Sequence, residues 1–208
     1  MKTNTVNNVD YVSAVLAAIF AIIYSVFQLL AVFRVVAHPY ELFWMFLPSL
    51  LLAPCFLITI ISLHYRADEE HKIYTAIASA FAILYCAMVS MVYFTQLALV
   101  IPALLNKEIN ETHVLAFNGR SFMVSVDCIG YAFMNASTLF AAFAFQRHEN
   151  KWVYRFLLLN GLQAPIVVLA LFSTVFLFIG ALWMITLPAA MIMVAKMFKT
   201  NKQPSIMS

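Results

Sequence analysis

Long apolar blocks alternate with short polar connections along this chain of 208 residues. Four blocks cover about 11–33, 42–63, 73–105 and 121–145, and a fifth runs from about 153 to 198. A helix needs ~20 apolar residues to cross the hydrocarbon of a bilayer. Each of the first four blocks reaches that length, and the last is about twice as long. Dividing the last block near Gly180 gives helices over about 153–178 and 181–198. The pattern predicts an all-α, polytopic bundle of six membrane-spanning helices in one domain. The length of the first block and the lack of a small-residue cleavage site argue against a cleaved signal peptide.

Polar and small positions inside the blocks predict which faces turn inward. Ser13, Ala17, Ala21, Tyr24 and Gln28 form one stripe of the first helix, the kind used for helix contact. Ser79, Cys86, Ser90 and Tyr93 mark a face of the third, with Gln96 three residues on. Pro48 and Pro54 predict kinks in the second helix, which membrane bundles tolerate. In the fifth, Pro165 cannot donate to the carbonyl of Gly161, so an irregularity is expected near Gly161–Pro165.

Composition fixes the class. The chain is 64% hydrophobic and 10% charged, against ~25% charged in soluble domains. That excludes a soluble fold. The net charge of +3 comes from basic residues scattered between apolar blocks, which offers no nucleic-acid surface. On a six-span layout, nine of the twelve Lys and Arg residues fall on the side of the termini. Only Arg34, Lys107 and Arg120 fall on the other. The positive-inside rule then places both termini in the cytoplasm.

Asp127 changes the picture most. It lies well inside an apolar block, and Tyr131, Asn135 and Thr138 follow it on the same helical stripe. A carboxylate facing lipid is costly, so this stripe is expected to face protein or water. At ~1.5 Å per residue, Gln28, Gln96 and Asp127 each lie about 10 Å outward from the middle of their helices. Tyr93 and Tyr131 lie near that level, and Arg120 precedes Asp127 on the same face. The candidate ligand-binding residues are therefore Asp127, Gln28, Gln96, Tyr93, Tyr131, Arg120 and Asn135. Convergence requires the first, third and fourth helices to be neighbours.

Other chemistry is sparse. Cys55, Cys86 and Cys128 all lie in apolar blocks and are expected to be free thiols. His64–Lys72 holds two histidines and three acids but no recognised metal-ligand spacing, and no cofactor is expected. No phosphate-binding glycine loop, HExxH or GxSxG is present. Asn110–Thr112 forms a glycosylation sequon.

Three stretches carry a family resemblance. They are YFTQLALVIPALLNKE from Tyr93, VDCIGYAFMNASTLFAAFAF from Val126, and WVYRFLLLNG from Trp152. Together they resemble a widespread group of small bacterial six-helix membrane proteins of uncharacterised function. The resemblance implies six helices and a bacterial inner membrane, and no chemistry. The expected partners are membrane lipids and a small-molecule or lipid ligand. Three function classes follow: binding or transport of such a ligand around Asp127, a structural or accessory subunit, and a lipid-modifying enzyme using Asp127 as acid or base.

Overall fold

The computed structural model describes residues 3–108, 112–119, 121–146 and 150–200; for residues 3–7, 174, 177 and 178 only the backbone is described. Among these residues every regular element is helical. The helices are α1 (Thr3–Val32), α2 (Tyr40–Arg66), α3 (Lys72–Thr95), α4 (Ile101–Asn106), α5 (Phe122–Phe143), α6 (Lys151–Gly161), α7 (Ala164–Leu169), α8 (Thr174–Gly180) and α9 (Trp183–Thr200). A π-helical turn over Gln96–Val100 joins α3 to α4, so residues 72–106 form one continuous rod.

Five stretches are long and apolar enough to cross a membrane: Asn8–Val32, Tyr40–Arg66, Glu69–Asn106, Phe122–Phe143 and Lys151–Leu169. Helix α9 is shorter, at 18 residues, and has Lys199 in its last turn. It still completes the architecture. Neighbouring columns pack in the order α1, α2, α3, α5, α6–α7, α9, and α9 returns to α1. The bundle is thus a ring of six helical columns, each antiparallel to the next in chain order.

Small residues set the close contacts. Ala14, Ala17, Ala18 and Ala21 of α1 are buried, with Ser13 beside them. Ser13 accepts a hydrogen bond from Thr59 of α2 at 3.2 Å, and Ser25 donates to the Met184 carbonyl of α9 at 3.3 Å. Gly130 lets α5 approach α3, since a Cβ there would lie 2.9 Å from Cγ2 of Val89. Ser137 of α5 donates to the Ala78 carbonyl of α3 at 2.8 Å. Without water to drive helices together, such packing and interhelical hydrogen bonds are what hold a membrane bundle.

Several expectations need correction. The first helix begins at Thr3 rather than near Tyr11, because a polar first turn can extend beyond the apolar stretch into the aqueous layer. The fifth helix does not run unbroken over 153–178. It breaks after Gly161 and again after Leu169, and α8 folds back on α7. The first break falls at the expected place. Gln163 donates its backbone N–H to the Asn160 carbonyl, and its side-chain amide takes the freed Leu159 carbonyl at 3.3 Å. The division at Gly180 stands, since α8 ends there. On α3 the innermost face is not the one marked by Ser79, Cys86 and Ser90, which are half-buried. Thr75, Ala78, Ala82, Tyr85, Val89, Val92 and Gln96 are buried at alternating steps of three and four, and Tyr93 of the expected face is buried beside them.

Candidate functional site

The stripe on α5 points into the ring as expected. Asp127 and Tyr131 are 7% and 5% exposed, and Asn135 and Thr138 are fully buried. Ser121 caps the helix by accepting from the Val124 N–H at 3.3 Å. The cap fixes where α5 starts, and hence how deep Asp127 sits, between one and two turns in.

Around Asp127 five columns contribute aromatic rings. Tyr131 of α5 packs on Trp183 of α9 at 4.9 Å between ring centres, and Trp183 packs on Tyr24 of α1 at 5.2 Å. Tyr131 also meets Tyr85 of α3 edge-on at 6.0 Å, and Tyr85 meets Phe56 of α2 at 5.3 Å. Tyr93 of α3 stacks on Phe46 of α2 at 5.3 Å. The hydroxyls of Tyr93 and Tyr131 are 2.9 Å apart. The Tyr93 hydroxyl also faces the Asp127 carboxyl, and Tyr24, Tyr85 and Tyr131 lie within its electrostatic reach. Two polar atoms here are buried without a hydrogen-bond partner among the described residues: Oδ1 of Asp127 and the Tyr85 hydroxyl.

The remaining candidates divide. Gln28 sits one turn beyond Tyr24 and accepts from its hydroxyl at 3.0 Å, so it belongs to the rim. Gln96 is fully buried but turns to the connection between α4 and α5. It donates to the Leu115 carbonyl at 2.7 Å and accepts from the Phe117 N–H at 3.0 Å. That clamp holds Phe117 against Phe46, with ring centres 5.4 Å apart, at the Asp127 end of the bundle. Among the described residues the first helix has no extensive contact with the third or fourth; it meets the site across the ring through Trp183. Arg120 lies outside the described residues.

Asn135 belongs to a second layer, two turns further along α5. Asn160 of α6 donates to Oδ1 of Asn135 at 3.0 Å and to the Thr138 hydroxyl at 3.1 Å. Thr186 of α9 donates to Oδ1 of Asn160 at 2.8 Å and accepts from Gln163 at 2.8 Å. This network ties α5, α6 and α9 together beneath the aromatic layer. Nδ2 of Asn135 and Oε1 of Gln163 remain without partners among the described residues. Beyond this layer the core is apolar, with Leu157, Met191, Val194 and Phe198 buried.

Far from this site, a shallow groove of about 320 Å³ between α1 and α2 is lined by Val9, Val12, Leu16, Cys55 and Ile58 among others, with no charged side chain. Cys55, Cys86 and Cys128 are unpaired and half-buried.

Sequence reasoning missed Tyr85 and underused Trp183. Tyr85 was reachable: stepping back from Gln96 by four, three and four gives Val92, Val89 and Tyr85. Trp183 carried no such signal, because its position depends on the turn at Ala181–Leu182 that starts α9. Comparison with protein-family models, with curated proteins and with solved structures gives no match for this chain.

Proposed function

We propose that this multi-pass membrane protein binds or moves a small molecule or lipid through the site around Asp127. The observation that supports it is Oδ1 of Asp127, buried in the ring without a hydrogen-bond partner among the described residues. A carboxyl group that ties helices together accepts from donors on a neighbouring helix, as Asp10 of α1 does from Arg66 of α2. The Tyr85 hydroxyl adds a second open polar atom at the same level.

In this proposal all six columns span a bacterial inner membrane, with both termini in the cytoplasm. The support is the distribution of charge. The α1 N-terminus, Arg66, Lys72, Lys151, Arg155, Lys196 and Lys199 lie at one end of the ring, and Arg34 and Lys107 at the other. The sequence resemblance to small bacterial six-helix proteins points the same way. Asp127 then lies in the outer leaflet, and the Asn135 layer near the middle of the membrane.

The test is native mass spectrometry of the protein released from nanodiscs formed directly from its own membrane. The wild-type chain should carry a bound species that Asp127→Ala loses while remaining folded. A structural or accessory role predicts a different result: Asp127→Ala lowers thermal stability, and neither protein carries a species that depends on Asp127. A lipid-modifying enzyme would instead change the lipid profile of overexpressing cells, and Asp127→Asn would abolish the change.

A further inference from the structure

We propose that the ligand of the Asp127 site is an organic cation, an ammonium head on an apolar body, seated between the Asp127 carboxylate and the rings of Tyr24, Tyr85, Tyr131 and Trp183. This ligand class rests on the reading of Asp127 as a ligand site, and adds the charge and shape of what binds.

Charge is the first argument. Asp127 is 7% exposed, and no described Lys, Arg or His side chain forms an ion pair with it. The described groups facing it are phenols, with the Tyr93 hydroxyl foremost. A carboxylate ionised and desolvated among rings is compensated by positive charge nearby. A cationic head supplies that charge, whereas an anionic ligand would meet the carboxylate as a like charge.

The rings argue in the same direction. An aromatic ring carries negative charge on its faces and attracts a cation held within ~6 Å of its centre, most strongly for Trp. Tyr24, Trp183, Tyr131 and Tyr85 form an unbroken series with centres 4.9 to 6.0 Å apart. These packed rings come from four columns, and with Trp183 turned aside their faces would meet a rounded cationic head. The Tyr85 hydroxyl, without a partner among the described residues, can accept from a ligand N–H.

An inorganic ion fits poorly. Hard cations take six or more oxygen ligands, several of them carboxylates or carbonyls. Among the described residues no group of three His, Cys, Asp or Glu side chains could hold a metal. The apolar setting suits an organic head whose charge is spread over carbon.

Trp183 supplies the way in. It is the first residue of α9, directly after the turn at 181–182, and is half-buried. Among the described residues its indole makes ring contacts but no side-chain hydrogen bond. Turning it away from Tyr24 and Tyr131 opens the series of rings on the side of α1 and α9.

The test uses three probes of one shape: benzyltrimethylammonium, its neutral isostere neopentylbenzene, and anionic benzylsulfonate. Binding to the full chain in nanodiscs is read by calorimetry and by the shift in thermal unfolding. The ammonium probe should saturate, with Kd raised at least tenfold in Asp127→Asn and severalfold in Trp183→Leu. Benzylsulfonate should not bind, and neopentylbenzene should be indifferent to Asp127→Asn. Should Asp127→Asn fail to fold, Trp183→Leu and Tyr24→Leu carry the comparison. An ammonium affinity unmoved by these substitutions, or equal binding of benzylsulfonate, overturns the assignment. A neutral or anionic native species that depends on Asp127 would leave the site standing and sink only the cationic ligand.

Discussion

At the opposite end of the bundle from Asp127, Asp10 and Arg66 show what a satisfied buried charge looks like in this protein. Nε and Nη2 of Arg66 both donate to Oδ2 of Asp10, at 3.0 and 2.8 Å, and the guanidinium lies 5.0 Å from the centre of the Phe198 ring. The pair fastens α1, α2 and α9 together where the polar first turns of α1 leave the apolar core. Removing one partner strands the other, at a cost of about 3–5 kcal/mol. Asp10→Ala should therefore lower the unfolding midpoint in detergent markedly. Asp10→Leu with Arg66→Met should recover most of the loss; if the double variant falls as far as the single, the pair is not the cause. Tyr85 predicts the reverse sign. Its buried hydroxyl has no partner among the described residues, so Tyr85→Phe removes a desolvated group and should stabilise the fold by about 1 kcal/mol. The same variant should weaken ligand binding if that hydroxyl meets the ligand. A loss of stability would mean that the hydroxyl is bonded after all.

Helices meet here through positions that carry almost no side chain, and Gly161 is the clearest case. A Cβ on Gly161 would lie 2.5 Å from the Cα of Leu139, so the backbone of α6 rests directly on α5. The irregularity was legible in the sequence from Pro165, which cannot donate to the Gly161 carbonyl. The reason for the glycine was not. Freedom to break a helix and closeness to another helix leave the same residue in a sequence, and only the packing separates them. Gly161→Ala should push α6 off α5, at about 1–3 kcal/mol or more, because backbone cannot yield as a side chain does. Gly130→Ala meets Cγ2 of Val89 instead, and should be rescued by Val89→Ala. Thermal unfolding of the three variants checks both statements; an unrescued Gly130→Ala would show that α3 backbone, not Val89, sets that contact. The polar stripe of α5 was legible for a physical reason as well. Asp127, Tyr131, Asn135 and Thr138 have no tolerable place against lipid, so their common face had to be the inner one.

For the molecule as a whole, the apolar blocks disclosed the columns but not their order around the ring. Lipid tails are as apolar as leucine, so a membrane helix can be hydrophobic on both its lipid and its protein face. Nothing in the sequence said that α9 would close on α1, although that closure brings Trp183 beside Tyr24 and lets the first helix reach Asp127. Closure also bears on sidedness. Helix α9 has 18 residues, ~27 Å at 1.5 Å per residue, slightly less than the ~30 Å of hydrocarbon. It nevertheless packs along α1 and α6, running opposite to α1, with Ser25 bonded to the Met184 carbonyl near one end and Arg66 against Phe198 at the other. Asp10, which Arg66 holds, and Ser25 stand 15 positions apart on α1, and Phe198 and Met184 stand 14 apart on α9, so α9 runs alongside α1 over that length rather than across it. Two measurements test this together. In a cysteine-free background, Ser25→Cys with Met184→Cys should cross-link, whereas Ser25→Cys with Phe133→Cys, which stacks on Phe81 at the α3–α5 flank, should not. Reporters fused to the N-terminus and the C-terminus should mark the same side of the membrane, and a reporter inserted between α4 and α5 the opposite side. If the terminal reporters disagree while the Ser25–Met184 cross-link forms, α9 enters the bundle and returns without crossing. If the cross-link fails as well, the ring is open between α1 and α9, and Tyr24 has no route to the carboxyl group it is meant to help enclose.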